Sequence, residues 1–504
     1  MKLFADKPVD SLYSGFASAS VVQRLEPQPS KLMIRVRVPS LAQQKRPGKT
    51  LRKRALAVSS FGLRTWGALI SAVLKDERVS SRWPTPARWQ PPMIRSNAPI
   101  LEHMFMDDFG PVSPVKRIAV LDQIRGLAVL GLIYMLAVAF GLQHAAFYRL
   151  DIDSNTKLDW IAGFVGHVFF DLKASALAMM VLGAGIAHFM ERARTYSKNP
   201  KRLALWRIFL LFLVGIQPGV HAPLWEGNYH LFIAVFATLT VLMFTRSAKT
   251  QLIVGVTLVV AALASTPLFQ SPFPANGYGL DQYWWPDSHP FNDPRPFPDV
   301  HPTLYFIATI SLRVAGTTLI GSALYKYGII QGLRSTEFYR RLGLYGFMIG
   351  LPLSVGSVVW IYASSYDPSI ALNGHIPNAA SAVPLALSYL SLIVLWNQNT
   401  TQNLHARGKR YLQAVGQMAL TNSIVYVTAG TFVIREGFGR NYFSRASLAL
   451  IVIGVCGIQL VWSKVWLTYF SYGPFEWLLR VATYRRLLPF SRPRTQPSSS
   501  AGPA

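Results

Sequence analysis

A chain of 504 residues that is 51% apolar and only 14% charged lacks the roughly 25% charge of soluble domains, which argues against a water-soluble enzyme. Fifty Lys and Arg against 23 Asp and Glu leave a net charge of +27, too one-sided to be spread evenly over a membrane protein's loops. The single cysteine, Cys456, excludes an internal disulfide and a cysteine-based metal cluster.

Residues 1–103 stand apart. Lys and Arg outnumber Asp and Glu 18 to 6 there, which supplies +12 of the total +27. The stretch has basic clusters, Lys45-Arg46 and Arg52-Lys53-Arg54, but no signal-peptide pattern. It reads as a disordered basic arm or as an extension upstream of the true start. The second reading rests on Arg35-Val36-Arg37-Val38-Pro39, whose codons can be written as a stem-loop resembling the T arm of a transfer RNA gene. Translation is then expected to begin at Met93, Met104 or Met106, and no nucleic-acid partner is expected.

From Arg117 to Gly141 the chain supplies the roughly 20 apolar residues that a helix needs to cross a bilayer core, with Lys116 and Arg117 as a basic collar. Asp122 and Arg125 lie at i and i+3 near its start, on one face and close enough to pair. By the same length criterion about ten spans follow, near 118–141, 163–190, 203–218, 228–245, 251–267, 303–327, 341–364, 379–396, 413–434 and 446–470. The expected fold class is an all-α, polytopic integral membrane bundle. Its parts are an N-terminal half, 104–330, with a large external loop at 268–303; a C-terminal half, 331–485; and a basic tail, 486–504. Lys and Arg gather in alternate loops, so the positive-inside rule puts both termini and the tail in the cytoplasm. The bilayer is the expected partner, and the tail adds contact with anionic headgroups.

Several motifs together resemble the YeiB-like bacterial membrane proteins, classed as domain of unknown function 418. They are Leu121-Asp122-Gln-Ile-Arg125-Gly126-Leu-Ala128, Phe170-Asp171-Leu-Lys173 with Leu182-Gly183-Ala184-Gly185, and Trp225-Glu-Gly227-Asn228. Further along come Gly321-Ser-Ala-Leu324-Tyr325, Gly416-Gln-Met-Ala-Leu-Thr421-Asn422 and Gly473-Pro474-Phe475-Glu476-Trp477. The resemblance covers about residues 117–485 and implies a bacterial inner-membrane protein related to the transmembrane acyltransferases. It also implies an acyl-CoA donor on the cytoplasmic side and a sugar or lipid acceptor outside. The chain departs from the family pattern at Leu136, Asn228 and Gln417, where polar or charged residues are usual.

Acyl transfer from a thioester needs a general base near neutral pH, and histidine suits that. His221, with Glu226 five residues on, is the expected catalytic pair; a histidine lying on a surface turn is the plainer alternative. Asp122 and Arg125 are read as a structural ion pair or as a donor-binding site, since a guanidinium suits phosphate. Lys173, Asn228, His230, Thr421 and Asn422 are polar candidates within the bundle, each equally explained by packing. His167 and His188 must find partners there too. Glu476 is expected to pair with Arg480 at i+4. No histidine pair has metal-ligand spacing, so no metal is expected. A transporter or a non-enzymatic accessory protein remains the alternative; the Gly350-Leu-Pro352 stretch is read as a possible helix break of the transporter kind.

Overall fold

The computed structural model describes residues 118–492 apart from 143, 148, 216–228, 271–299, 368–369, 371, 399–402 and 440–441. The described residues fold as helices, with one isolated β-bridge, Phe470 to Ser491, and no strand. In chain order the helices are α1 (Ala119–Gly141), α2 (Lys157–Phe169), α3 (Lys173–Tyr196), α4 (Pro200–Gly215), α5 (Tyr229–Leu242), α6 (Ala248–Gln270) and α7 (Val300–Lys326). The second half holds α8 (Thr336–Ala363), α9 (Ile376–Gln398), α10 (Asn403–Gln417), α11 (Ala419–Ala429, continuing as a π-helix over Gly430–Phe438), α12 (Arg445–Tyr469) and α13 (Pro474–Tyr484). The chain is a multi-pass, all-helical membrane protein.

Where they are described, the ten expected stretches fall largely on helix, apart from the break at Phe170–Leu172; 216–218 and 228 lie outside the described residues. Among the described residues six segments are long and apolar enough to cross a membrane, or seven if a bent pair counts as one. α4 and α5 are described over 16 and 14 residues, and both border the stretch 216–228 that lies outside the described residues. α7 is long enough, but it carries Arg313 and hydroxyl residues along its length. The expected span 413–434 divides at Met418, where α10 and α11 meet at 72°. Pro352 lies inside an unbroken α8, so the break expected there is absent.

Burial separates a centre from a rim. The apolar windows of α1 and α9 are 67% and 72% buried, against 28% and 22% for α8 and α12, so the last two present their Leu, Ile and Phe side chains outward, as a lipid-facing surface does. The main core joins α1, α3, α7 and α9 through Ile124, Met180, Ile320 and Leu390 among others.

Close backbone approach holds the centre together, since helices in lipid gain from small residues at their contacts. α1 and α10 cross where a Cβ on Gly416 would overlap the Asp122 carbonyl and one on Gly126 would overlap the Leu412 carbonyl. α3 and α7 cross in the same way through Gly183 and Gly321. Gly346 and Gly350 face α9 at close range, whereas a Cβ on Gly454 or Gly457 would meet nothing within 4 Å.

The tail also departs from expectation. Glu476 does not bond Arg480; its carboxylate caps the start of α11, accepting from the backbone N–H of Leu420 at 2.6 Å and of Thr421 at 3.0 Å and from the Thr421 hydroxyl at 2.5 Å. A carboxyl oxygen at a helix N-terminus accepts from N–H groups that would otherwise go unsatisfied, which outweighs an exposed i,i+4 pair. Beyond α13 the chain folds back: Ser471 donates to the Phe490 carbonyl, and Phe490 packs against Trp466, Phe470 and Trp477. The first residues of the basic tail are therefore docked.

Gly416→Ala should lower stability by about 1–3 kcal/mol through overpacking, read as a lower thermal midpoint in detergent, with Gly454→Ala as a near-neutral control. Burial raises the carboxyl of Glu476 above its ordinary value of 4.5 despite the bonds from Thr421. A raised folded pKa favours the protonated chain, so that contribution is complete below pH 4.5 and is lost as pH climbs through the raised value. Relative to Glu476→Gln, the unmodified protein should therefore lose stability as pH rises from about 4.5.

Candidate functional site: a helix break lined with polar side chains

α2 and α3 together form a 39-residue apolar segment, about 58 Å long if straight, nearly twice the bilayer core. The chain interrupts it at Phe170–Leu172, where Leu172 takes a left-handed conformation with φ of 60°. A break inside a bundle leaves the last carbonyls of one helix without partners, and in lipid each must be satisfied by protein. Here three side chains do so. Lys173 donates to the His167 carbonyl at 2.7 Å, Ser354 of α8 to the Val168 carbonyl at 3.3 Å, and the hydroxyl of Tyr389 of α9 to the Phe169 carbonyl at 2.8 Å.

Lys173 is fully buried. Its ammonium also donates to Ser354 Oγ at 2.9 Å and to Asn378 Oδ1, so all three N–H groups are used. Asn378 in turn donates from Nδ2 to Asp171 Oδ2 at 2.9 Å. The same Asp171 oxygen lies 3.5 Å from His167 Nδ1. His167 is buried, its ring stands edge-on to that of His375 with centroids 5.6 Å apart, and its Nε2 has no hydrogen-bond partner among the described residues. A buried polar atom without a partner is rare in a native structure and calls for a reason. Arg313 of α7 completes the group from the other side, within electrostatic reach of Asp171.

A second polar centre sits 15 residues further along α3, about 22 Å away on the same helix. Tyr325 of α7 donates its only O–H to Glu191 at 2.8 Å, and its oxygen lies 2.9 Å from His188 Nδ1. Because the tyrosine proton is committed, His188 must hold its own proton on Nδ1, which leaves Nε2 as the acceptor. The expected pair Asp122–Arg125 forms beside it at 3.1 Å, with Gln417 donating to Asp122 at 3.4 Å. The guanidinium of Arg125 reaches α3 at Gly185, where a Cβ would stand 3.5 Å away.

Of the other expected residues, Asn422 bonds Ser463 at 2.9 Å and Thr421 bonds Glu476, so both join helices. His230 lies on α5, with its side chain outside the described residues, as are His221, Glu226 and Asn228 entirely. Among the described residues no group of three or more His, Cys, Asp or Glu could hold a metal. Sequence reading gave Lys173 no specific partners and overlooked Asn378, Ser354 and Arg313. For Arg313 a signal existed, since a cation inside an apolar run is a functional candidate by default.

Comparison with known proteins finds the family described as "Protein of unknown function (DUF418)" over residues 324–486. The chain is 27% identical over 423 residues to Uncharacterized protein YxaH of Bacillus subtilis (strain 168), covering 77% of this chain and 99% of that one. It is 26% identical over 389 residues to Uncharacterized protein YeiB of Escherichia coli (strain K12), covering 74% and 97%. No solved structure matches it.

Lys173→Met should cost about 3–5 kcal/mol, because it leaves Asp171 and two carbonyl acceptors buried without their cation. Thermal unfolding in detergent reads this, and combining it with Asn378→Ala should cost less than the sum of the two, as members of one network do.

Proposed function

We propose that this chain, which belongs to the YeiB-like DUF418 family, transfers an acyl group across the bacterial inner membrane, from a thioester donor in the cytoplasm to a hydroxyl acceptor outside. The observation that carries this reading is the buried Nε2 of His167, which has no hydrogen-bond partner among the described residues, backed by Asp171 at a helix break. A carboxylate at Nδ1 keeps the proton on that nitrogen and leaves Nε2 as a base, the logic of nucleophile activation generally. Asn378 and Lys173 hold Asp171 in place.

In the reaction, His167 Nε2 takes the proton of the acceptor hydroxyl as its oxygen attacks the thioester carbonyl. The carbon–sulfur bond breaks, and the imidazolium returns the proton to the leaving thiolate. Arg125, at the opposite end of α3, suits the phosphate of an acyl-CoA donor. From Gly185, beside Arg125, to Lys173 is 12 residues, about 18 Å along the helix, a reach that asks for a donor with a long flexible arm.

Inverted vesicles given labelled acetyl-CoA should place label on lumenal glycan or lipid. His167→Gln should cut transfer on the order of 10²–10⁴-fold, and Arg125→Gln should raise the KM for donor more than it lowers kcat. Transfer that survives in His167→Gln but is lost in His188→Gln would move the base to the other centre and overturn this assignment. One observation favours a second reading: broken helices with buried charge are how transporters build their sites. Counterflow of a solute without label transfer would support it.

A further inference from the structure

A small cavity of about 50 Å³ lies between α3, α6, α7 and α9, beside the break, with Leu172 in its lining and His167 outside it. Its walls include Ala176, Met179, Val259, Ile310 and Val314, and one cation, Arg313. A single water needs roughly 10–15 Å³ on this scale, so the space admits roughly three to five non-hydrogen atoms.

The charges around it do not balance. Lys173 and Arg313 face one carboxylate, Asp171, among the described residues. Arg313 spends its Nε–H on the Thr309 carbonyl at 3.3 Å, and its remaining four N–H groups make no hydrogen bond among the described residues. Arg313 is half-buried, so its free N–H groups are open to a ligand, and a guanidinium fork fits a carboxylate through two parallel bonds.

We propose that this cavity binds a short-chain carboxylate, acetate or propionate in size, with Arg313 holding its two oxygens and the aliphatic wall enclosing its alkyl end. The proposal names a binding site distinct from the His167 base and does not depend on acyl transfer, since it is read by equilibrium binding without turnover. A longer chain is excluded by volume, a neutral amide by the loss of charge pairing, and inorganic phosphate by the apolar wall.

The test is equilibrium dialysis of labelled acetate and propionate against the purified full-length protein in detergent. Saturable binding is expected, with competition by unlabelled propionate but not by acetamide, octanoate or inorganic phosphate. Arg313→Gln should weaken binding at least tenfold and Arg313→Lys less, because an ammonium cannot make the paired contact. Ala176→Leu fills the cavity without altering charge and should also abolish binding, which keeps the test decisive if the Arg313 variants misfold. Equal competition by acetamide, equal binding by Arg313→Gln and Ala176→Leu with intact folding, or displacement by phosphate alone would each overturn the proposal. Binding of free carboxylate by a protein inactive in transfer would leave this inference standing and remove the enzymatic one.

Discussion

A backbone carbonyl inside a bilayer has no water to turn to, so a helix can stop there only where side chains take over its hydrogen bonds. Lys173, Ser354 and Tyr389 do this for the three carbonyls at the end of α2. They come from α3, α8 and α9, so the break also ties the two halves of the chain to each other. A lysine placed there is costly unless a carboxylate is near, and Asp171, two residues earlier, is held by Asn378 rather than by the lysine directly. Among the buried atoms of this network in the described residues, His167 Nε2 is the one left without a hydrogen bond. A buried lone pair left open in such a cluster is where chemistry can enter.

The family-like stretches acquire a physical meaning once their contacts are known. Leu121–Ala128 crosses Gly416–Asn422 at the Gly126 and Gly416 contact. Gly473–Trp477 places Glu476 on the N-terminus of α11, directly after that crossing. Three segments far apart in sequence thus form one knot at the end of the bundle that holds the Asp122–Arg125 pair. Gly416 lets α10 press against α1, the chain then bends by 72°, and the bend exposes the N–H groups that Glu476 needs as donors. Each step makes the next one possible.

What the sequence made legible was short-range. Apolar run lengths located most of the long apolar helices but not α13 or the polar first half of α10, and the i,i+3 rule found the Asp122–Arg125 pair. It failed where a partner is remote: Ser354 and Asn378 lie 181 and 205 residues from Lys173, and no local pattern links them. It failed again where two local rules competed. An i,i+4 pairing of Glu476 with Arg480 is a weak surface interaction, whereas capping a buried helix start satisfies several donors at once.

Both polar centres belong to α3, and this constrains whatever function they serve. The residues between them, from Ala174 to Ala187, are mostly small and apolar, which lets α7 approach through Gly183 and Gly321. A straight helix fixes the separation at about 22 Å; it cannot shorten without a kink, and packing on two sides opposes one. His188 and Tyr325 bind α3 to α7 at one end, while Lys173 and Asn378 bind α3 to α9 at the other. The two centres are therefore a rigid pair. A substrate that engages both must itself span that distance, and one that does not must move along α3, past the cavity at Arg313, to pass from one to the other.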